Sequence, residues 1–176
     1  VGDFDDYLRL LKICTDITGR ADLYEENGLQ VREQIKTVVA ESQTRIAERG
    51  APTVLCMVAS ASSIHVKNSK NNVLGEMLHS LGCVNIADSE DSLLENLSLE
   101  YILQADPDYI FIVQRGDDTA GMMENIAREL EQNPLWRQLT AVRNGKVYIM
   151  EKNLYNLKPN RRWGEAYERL EAIFAQ

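Results

Sequence analysis

The side chains with the most chemistry to offer stand together in Ser60-Ala61-Ser62-Ser63-Ile64-His65-Val66-Lys67, which carries hydroxyls, an imidazole and an ammonium in one short stretch. Such a set could serve a serine nucleophile or cradle a phosphate. Neither use is supported. Ser62 or Ser63 with His65 would put nucleophile and base on one loop with no acid to orient the imidazole. The stretch shows no G-x-x-x-x-G-K-[ST], G-x-G-x-x-G or G-x-S-x-G pattern, and it lacks the glycines that let backbone amides approach a phosphate. No catalytic residue is expected. What remains is a polar rim that meets a ligand through Ser62, Ser63, His65 and Lys67 without reacting with it.

Metal chemistry finds no better footing. Cys14, Cys56 and Cys83 are widely spaced among apolar neighbours, and His65 and His79 complete no short-spaced zinc pattern. All three cysteines read as buried structural thiols, and neither a metal site nor a resident cofactor is expected. The other candidates are Arg115, Lys152 and Tyr155, each just beyond an apolar run. With Lys67 they bring cations together in a protein whose net charge is −8. Convergent cations suit an anionic or oxygen-rich ligand, and Tyr155 offers a phenol and a stacking face.

The elements that must position these residues follow from composition and periodicity. A chain of 176 residues, 44% hydrophobic and 26% charged, has room for one domain with a real core. Its acidic balance and dispersed basic residues exclude a nucleic-acid footprint. No apolar run approaches the roughly 20 residues of a spanning helix, and the start, Val1 to Tyr7, has no basic signal-peptide region. Any membrane association is therefore expected through an upstream anchor.

Asp3 or Asp5 can cap a first helix carrying Tyr7, Leu10, Leu11 and Cys14 at helical spacing, with Gly19 as its stop. Tyr24, Val31, Ile35, Val38, Val39 and Ile46 then keep one phase through Asn27-Gly28. This predicts a single helix from Ala21 to Glu48, ended by Gly50 and long enough to span more than one body. Beyond Ala51-Pro52 the pattern alternates. Strands are predicted over Thr53 to Ala59, Val84 to Ala87, Tyr109 to Val113 and Lys146 to Met150, with helices over Asn72 to Leu81, Leu99 to Gln104, Ala120 to Gln132 and Arg161 to Phe174. The unbroken apolar run Tyr109-Ile110-Phe111-Ile112-Val113 reads as a parallel strand covered on both faces. The fold class is α/β, a doubly wound, mostly parallel sheet over 51–176, preceded by helices over 1–50.

Ligands of such sheets sit beyond the carboxyl ends of the strands. Three segments should meet there: Ser60 to Lys67, Gln114 to Asp118, and Glu151 to Tyr155. Glu100 enters the helix beginning at Leu99 and belongs on the same edge. Its carboxylate can help Ser98 cap the helix, or it can face a partner.

Four motifs, in this order, carry a family likeness. They are L-x-x-L-G-C-x-N-I-A-D from Leu78 to Asp88, S-x-E-x-I-L-x-x-x-P-D-Y-I from Ser98 to Ile110, N-P-x-W from Asn133 to Trp136, and K-P-N-x-R-W-x-E-A-Y from Lys158 to Tyr167. The chain resembles the C-terminal half of the substrate-binding proteins of bacterial ABC importers for iron-siderophores, haem and cobalamin. That resemblance implies two α/β lobes joined by one long helix, here Ala21 to Glu48, with cargo in the cleft between them. It implies that the N-terminal lobe is absent from this chain, and that the protein works outside the cytoplasm. It also implies that Glu100 is an acid that docks on a permease subunit. The expected partners are then a metal chelate, a siderophore ahead of haem or cobalamin, and the importer's permease subunits. The rival reading is a lobe of a chelatase or metallocluster-assembly enzyme. That reading would need a cluster cysteine or a metal-inserting His or Glu at the cleft, and Cys56 and Cys83 fall within or beside strands instead.

Overall fold

The central strands explain the layering. In β1 (Thr53–Ala59) and β4 (Tyr109–Gln114), Val54, Cys56, Phe111 and Val113 turn into one hydrophobic cluster, while Leu55, Met57, Ala59, Ile110 and Ile112 turn into another. Strand side chains alternate between faces, so a strand apolar at every position must be covered on both. The computed structural model, which describes residues 3–176, shows this sandwich. The chain opens with α1 (Phe4–Thr18), α2 (Ala21–Tyr24), a π-helical turn (Glu25–Leu29) and α3 (Gln30–Arg49), all before β1. β2 (Ile64–Lys67), α4 (Val73–Ser80), β3 (Val84–Asn85), α5 (Ser92–Glu95) and α6 (Leu99–Ala105) precede β4. After it come α7 (Thr119–Ile126), α8 (Thr140–Arg143), β5 (Val147–Met150), α9 (Lys152–Tyr155) and α10 (Trp163–Phe174). Residues of α1, α3, α4, α9 and α10 fill the first cluster, and those of α5, α6, α7 and α8 fill the second.

The sheet runs β2-β1-β4-β5, with β4 parallel to both β1 and β5. One side of β1 is shared. β2 folds back antiparallel against Cys56–Ala59, which leaves only Thr53 and Val54 to pair with β3. This corrects two expectations. The segment from Ser60 to Lys67 is a β-hairpin rather than a loop, and the strand expected to Ala87 stops at Asn85 and continues as a 3-10 turn, Ile86–Asp88. The helix expected over Ala120 to Gln132 is α7 followed by a π-helical turn, Ala127–Glu131.

The long helix is continuous. Tyr24, Glu25, Leu29 and Gln30 all keep right-handed helical angles, and Gly50 ends the run at φ +85°. At about 1.5 Å per residue it reaches roughly 40 Å. The π-helical turn falls on Asn27-Gly28, and the reason is α1. Leu8 Cδ1 lies 2.8 Å from where a Gly28 Cβ would stand, and the Tyr7 hydroxyl donates to the Asn27 carbonyl at 3.0 Å. Only glycine admits so close an approach of the two helices. Asp3, not Asp5, caps α1, by accepting from the Asp6 amide at 2.9 Å.

α3 is tied to α10. Arg45 and Glu171 form a two-point ion pair at 2.7 and 3.1 Å with side chains 10% and 12% exposed, and Gln34 donates to Glu168 at 2.6 Å. Two cysteines are buried as expected, Cys56 and Cys83, and burial pushes the Cys83 thiol up to about 12. Cys14 is the correction. It sits on the outward side of α1 and is exposed.

Candidate functional site

The candidate site is the carboxyl edge of the sheet, where β1, β4 and β5 end. The β1–β2 turn is self-supporting. Ser60 N–H donates to the Ser63 carbonyl at 2.8 Å, and Ser60 Oγ accepts from the amides of Ser62 and Ser63 at 3.3 and 3.1 Å. The Ser60 and Ser63 hydroxyls share a hydrogen bond at 2.9 Å, and Asn125 Nδ2 holds the Ser60 carbonyl at 2.9 Å. The Ser63 hydroxyl therefore serves the turn first. Ser62 is exposed, and its hydroxyl has no partner among the described residues.

His65 pairs across from Val58, and Lys67 from Cys56. Both are exposed on β2, which runs away from the edge. Lys67 stands level with the third residue before Ala59, about 10 Å back from the strand end at roughly 3.3 Å per residue. This corrects its expected place on the rim. The cause is the hairpin, which turns a presumed loop into a returning strand.

After β4 the chain turns through Gly116 at φ +81°, and Asp118 caps α7 by accepting from Gly121 at 2.8 Å. Gln114 braces the turn from below, donating to the Gly116 carbonyl at 3.2 Å and to Thr119 Oγ1 at 3.0 Å. Arg115 is anchored by its backbone amide, which donates to the Ala59 carbonyl at 2.7 Å. Its guanidinium is exposed and has no acidic partner among the described residues. Lys152 behaves differently. Its ammonium donates to the Gly116 carbonyl at 3.2 Å and pairs with Asp117, whose carboxyl it holds below the usual carboxylate range. Arg115 is thus an available cation, while Lys152 is a latched one.

Tyr155 is corrected more fully. It is 3% exposed, its hydroxyl donates to the Ala166 carbonyl at 3.1 Å, and burial pushes its phenol up. The segment expected as a loop is the helical turn α9, which rotates this ring into the core rather than toward the edge.

The sequence reading missed the other charges here. Glu151 accepts from Arg162 and Arg169, each at 3.3 Å, and Glu165 accepts from the same two guanidiniums at 2.7 and 2.6 Å. Arg162, Glu165 and Arg169 share a helix face by their spacing, which charge patterning can detect. Their meeting with Glu151 is a tertiary event.

Glu100 stands where α6 begins. The far end of α6 lies at the opposite edge of the sheet, since Asp108 accepts from the first amide of β1, Thr53, at 2.8 Å. Ser98 caps α6 through the Tyr101 amide at 3.3 Å and donates its hydroxyl to Glu100 at 3.4 Å. Glu100 itself receives no backbone amide and no cation among the described residues, and it is exposed. Nearby, Ser62, Ser63, Ile64, Leu97, Asn125 and Glu129 line a shallow depression of about 300 Å³. Among the described residues no cluster of His, Cys, Asp and Glu could hold a metal ion, and no helix is long and apolar enough to cross a membrane.

Known proteins resemble this chain in sequence and in fold. The Fe(3+)-citrate-binding protein YfmC of Bacillus subtilis is 28% identical over 131 residues, 74% of this chain and 39% of its own length. The high-affinity heme uptake system protein IsdE of Staphylococcus aureus is 22% identical over 98% of this chain and 60% of its own. Among solved structures, S. aureus IsdE complexed with heme superposes with a TM-score of 0.80 at 18% identity, covering 99% of this chain and 66% of that one. The apo form of the heme-binding protein RhuT from Roseiflexus sp. RS-1 gives 0.77 at 19% identity, covering 98% of this chain and 63% of that one. These relatives are binding proteins rather than enzymes, and the chain spans less than two thirds of their length. With the periplasmic binding protein family model matching residues 1–154 of 176, the chain belongs to that family.

Proposed function

We propose that this chain is the C-terminal lobe of an extracytoplasmic substrate-binding protein that captures an anionic iron chelate, foremost a siderophore, and passes it unaltered to an ABC importer. The observation that carries the cargo class is Arg115, an exposed cation on the ligand edge of an acidic protein with no acidic partner among the described residues, anchored by its amide to Ala59 at the end of β1. Lys152 stands in reserve, because an anion that competes for it displaces Asp117. Names among the relatives, Fe(3+)-citrate and heme, lie in the same class of iron-bearing cargo. Tyr155, with its hydroxyl bound inside, contributes nothing to iron ligation. The long helix Ala21–Arg49 serves as the connector to a second lobe, and Glu100 serves as the docking acid for a permease subunit.

The test is titration of the full-length protein with ferric siderophores, ferric citrate, haemin and cobalamin, followed by tryptophan quenching. Arg115→Ala should weaken an anionic chelate by about 1–3 kcal/mol, the loss on removing a charged hydrogen bond. Unchanged affinity across all anionic cargoes, with tight binding of cobalamin, overturns the proposal. A haemin complex whose spectrum shifts in His65→Ala would favour haem, because that imidazole is exposed and unpartnered among the described residues.

A further inference from the structure

Three buried side-chain polar atoms lack a hydrogen-bond partner among the described residues: Arg32 Nε, Ser69 Oγ and Trp163 Nε1. Two of these residues, Arg32 and Trp163, line the same cavity, about 390 Å³ between α1, α3, α4 and α10. Both nitrogens are donors that cannot accept. Trp163 is 1% exposed, and Glu33 Oε1 stands 3.8 Å from Arg32 Nε, beyond hydrogen-bond reach. A buried donor left unmade costs free energy, so two in one cavity ask for an acceptor that the chain does not provide. The rest of the lining is of two kinds. Phe4, Ile35, Val39 and Tyr167 offer an apolar wall, and Asp3, Asp5 and Glu76 offer carboxylates. Asp3 uses one oxygen on the Asp6 amide and Glu76 one on the Asn71 amide, at 2.9 and 3.1 Å. Burial raises the Tyr167 phenol and the charges of Glu76, Asp3 and Asp5 raise it further, which places all three acids within electrostatic reach of one ring. Lys36, the other cation of the lining, is tied to Glu33 at 2.8 Å.

We propose that this cavity is a second ligand site, separate from the cargo edge, which takes an apolar α-amino acid in its zwitterionic form. The carboxylate accepts from Arg32 and Trp163, the ammonium faces the three acids, and the side chain lies on Phe4, Ile35 and Val39. The lining selects this class. An acid without an ammonium would meet three carboxylates, and an amine without a carboxylate would leave both donors unmade. The volume also falls in the range of small-molecule pockets. Neither donor nitrogen is open to water, so the Arg32 side chain, 42% exposed, swings aside to admit the carboxylate, a rotamer change common on binding.

Phenylalanine and leucine, added at millimolar concentration to the full-length protein, should raise its Tm and move the Trp163 indole N–H resonance in the NMR spectrum. The Trp163→Phe variant assigns that resonance, and if it fails to fold, the contact of the indole with the Phe4 ring, 6.0 Å between centroids, assigns it instead. Phenylacetate, phenethylamine and glycine each lack one of the three features and should bind at least about tenfold more weakly, as expected when one charged hydrogen bond or one apolar contact is lost. Arg32→Gln, at a partly exposed position, should weaken phenylalanine to the same extent while the protein stays folded. Arg115→Ala should leave phenylalanine binding unchanged, because that guanidinium stands on the cargo edge. Equal binding of phenylacetate and phenylalanine overturns the amino-acid assignment. Loss of binding in Arg115→Ala moves the ligand to the cargo edge and overturns the second site. A Trp163 resonance that no probe moves overturns both.

Discussion

Replacing Glu171 by Leu would leave the Arg45 guanidinium at the α3–α10 contact against the Phe174 ring, 4.9 Å away, with no ion-pair partner among the described residues. Removing one partner of a buried ion pair costs about 3–5 kcal/mol, because the remaining charge stays desolvated. Here roughly a tenth of each side chain still meets solvent. The aromatic face also keeps about 1 kcal/mol of cation–π attraction, so the lower end, about 3 kcal/mol, is expected. For a chain of this size that corresponds to a fall in Tm of about 6–12 °C. The double variant Arg45→Met/Glu171→Leu should recover most of the loss, since an apolar pair of similar volume needs no desolvation. Melting curves of wild type, both single variants and the double variant complete the cycle. If the double variant melts as low as Glu171→Leu, packing volume rather than an unpaired charge sets the cost, and the reasoning fails.

Glu100→Gln should leave cargo affinity and Tm nearly unchanged, since the carboxylate holds no backbone amide, while lowering importer-dependent uptake in vesicles. Normal uptake with a lowered Tm would return Glu100 to a capping role. Asp117→Asn should free Lys152 and tighten binding of an anionic chelate several-fold, and isothermal titration that shows no gain would mean the ammonium does not reach the cargo. The same latch gives a pH sign. Lys152 lowers the Asp117 carboxyl, so the pairing holds above the ordinary carboxylate range and is lost as pH falls through the depressed value, with the release visible in the Lys152 side-chain NMR signal. Gly82→Ala should destabilise by about 1–2 kcal/mol, because Gly82 has φ +75° and Ile46 Cδ1 lies 2.3 Å from the added carbon; an unchanged Tm would show that Ile46 has room to move.

Local regularities carried the fold a long way. A strand apolar at every position, as in Ile110 to Val113, can be buried on two faces or not at all, and the structure buries both. The long helix was legible because Val31, Val38 and Ile46 recur at helical spacing after Asn27-Gly28, and the chain keeps right-handed helical angles through the π-helical turn there, so the extra residue is absorbed without a break. Gly19 and Gly50 marked the ends, and both adopt the positive φ, +69° and +85°, that glycine takes without strain.

The site itself was only half written in the chain's local order. Segments that follow strands β1, β4 and β5 were traceable to one edge, because that follows from the parallel connection alone. Which side chains stay on that edge depended on contacts between residues far apart. The hairpin at Ser60 to Ser63 carries Lys67 back from the rim, since its stability comes from pairing with Cys56 to Ala59 and from Asn125, 65 positions away. Tyr155 turns inward because α9 coils beneath α10 and offers it the Ala166 carbonyl. Lys152 finds Asp117, and Glu151 finds Arg162 and Arg169, only once β4, β5 and α10 are packed side by side. Sequence period decides which face of an element is apolar; Leu10, Ile13 and Ile17, exposed on α1, show that only the packed structure decides which apolar faces are covered.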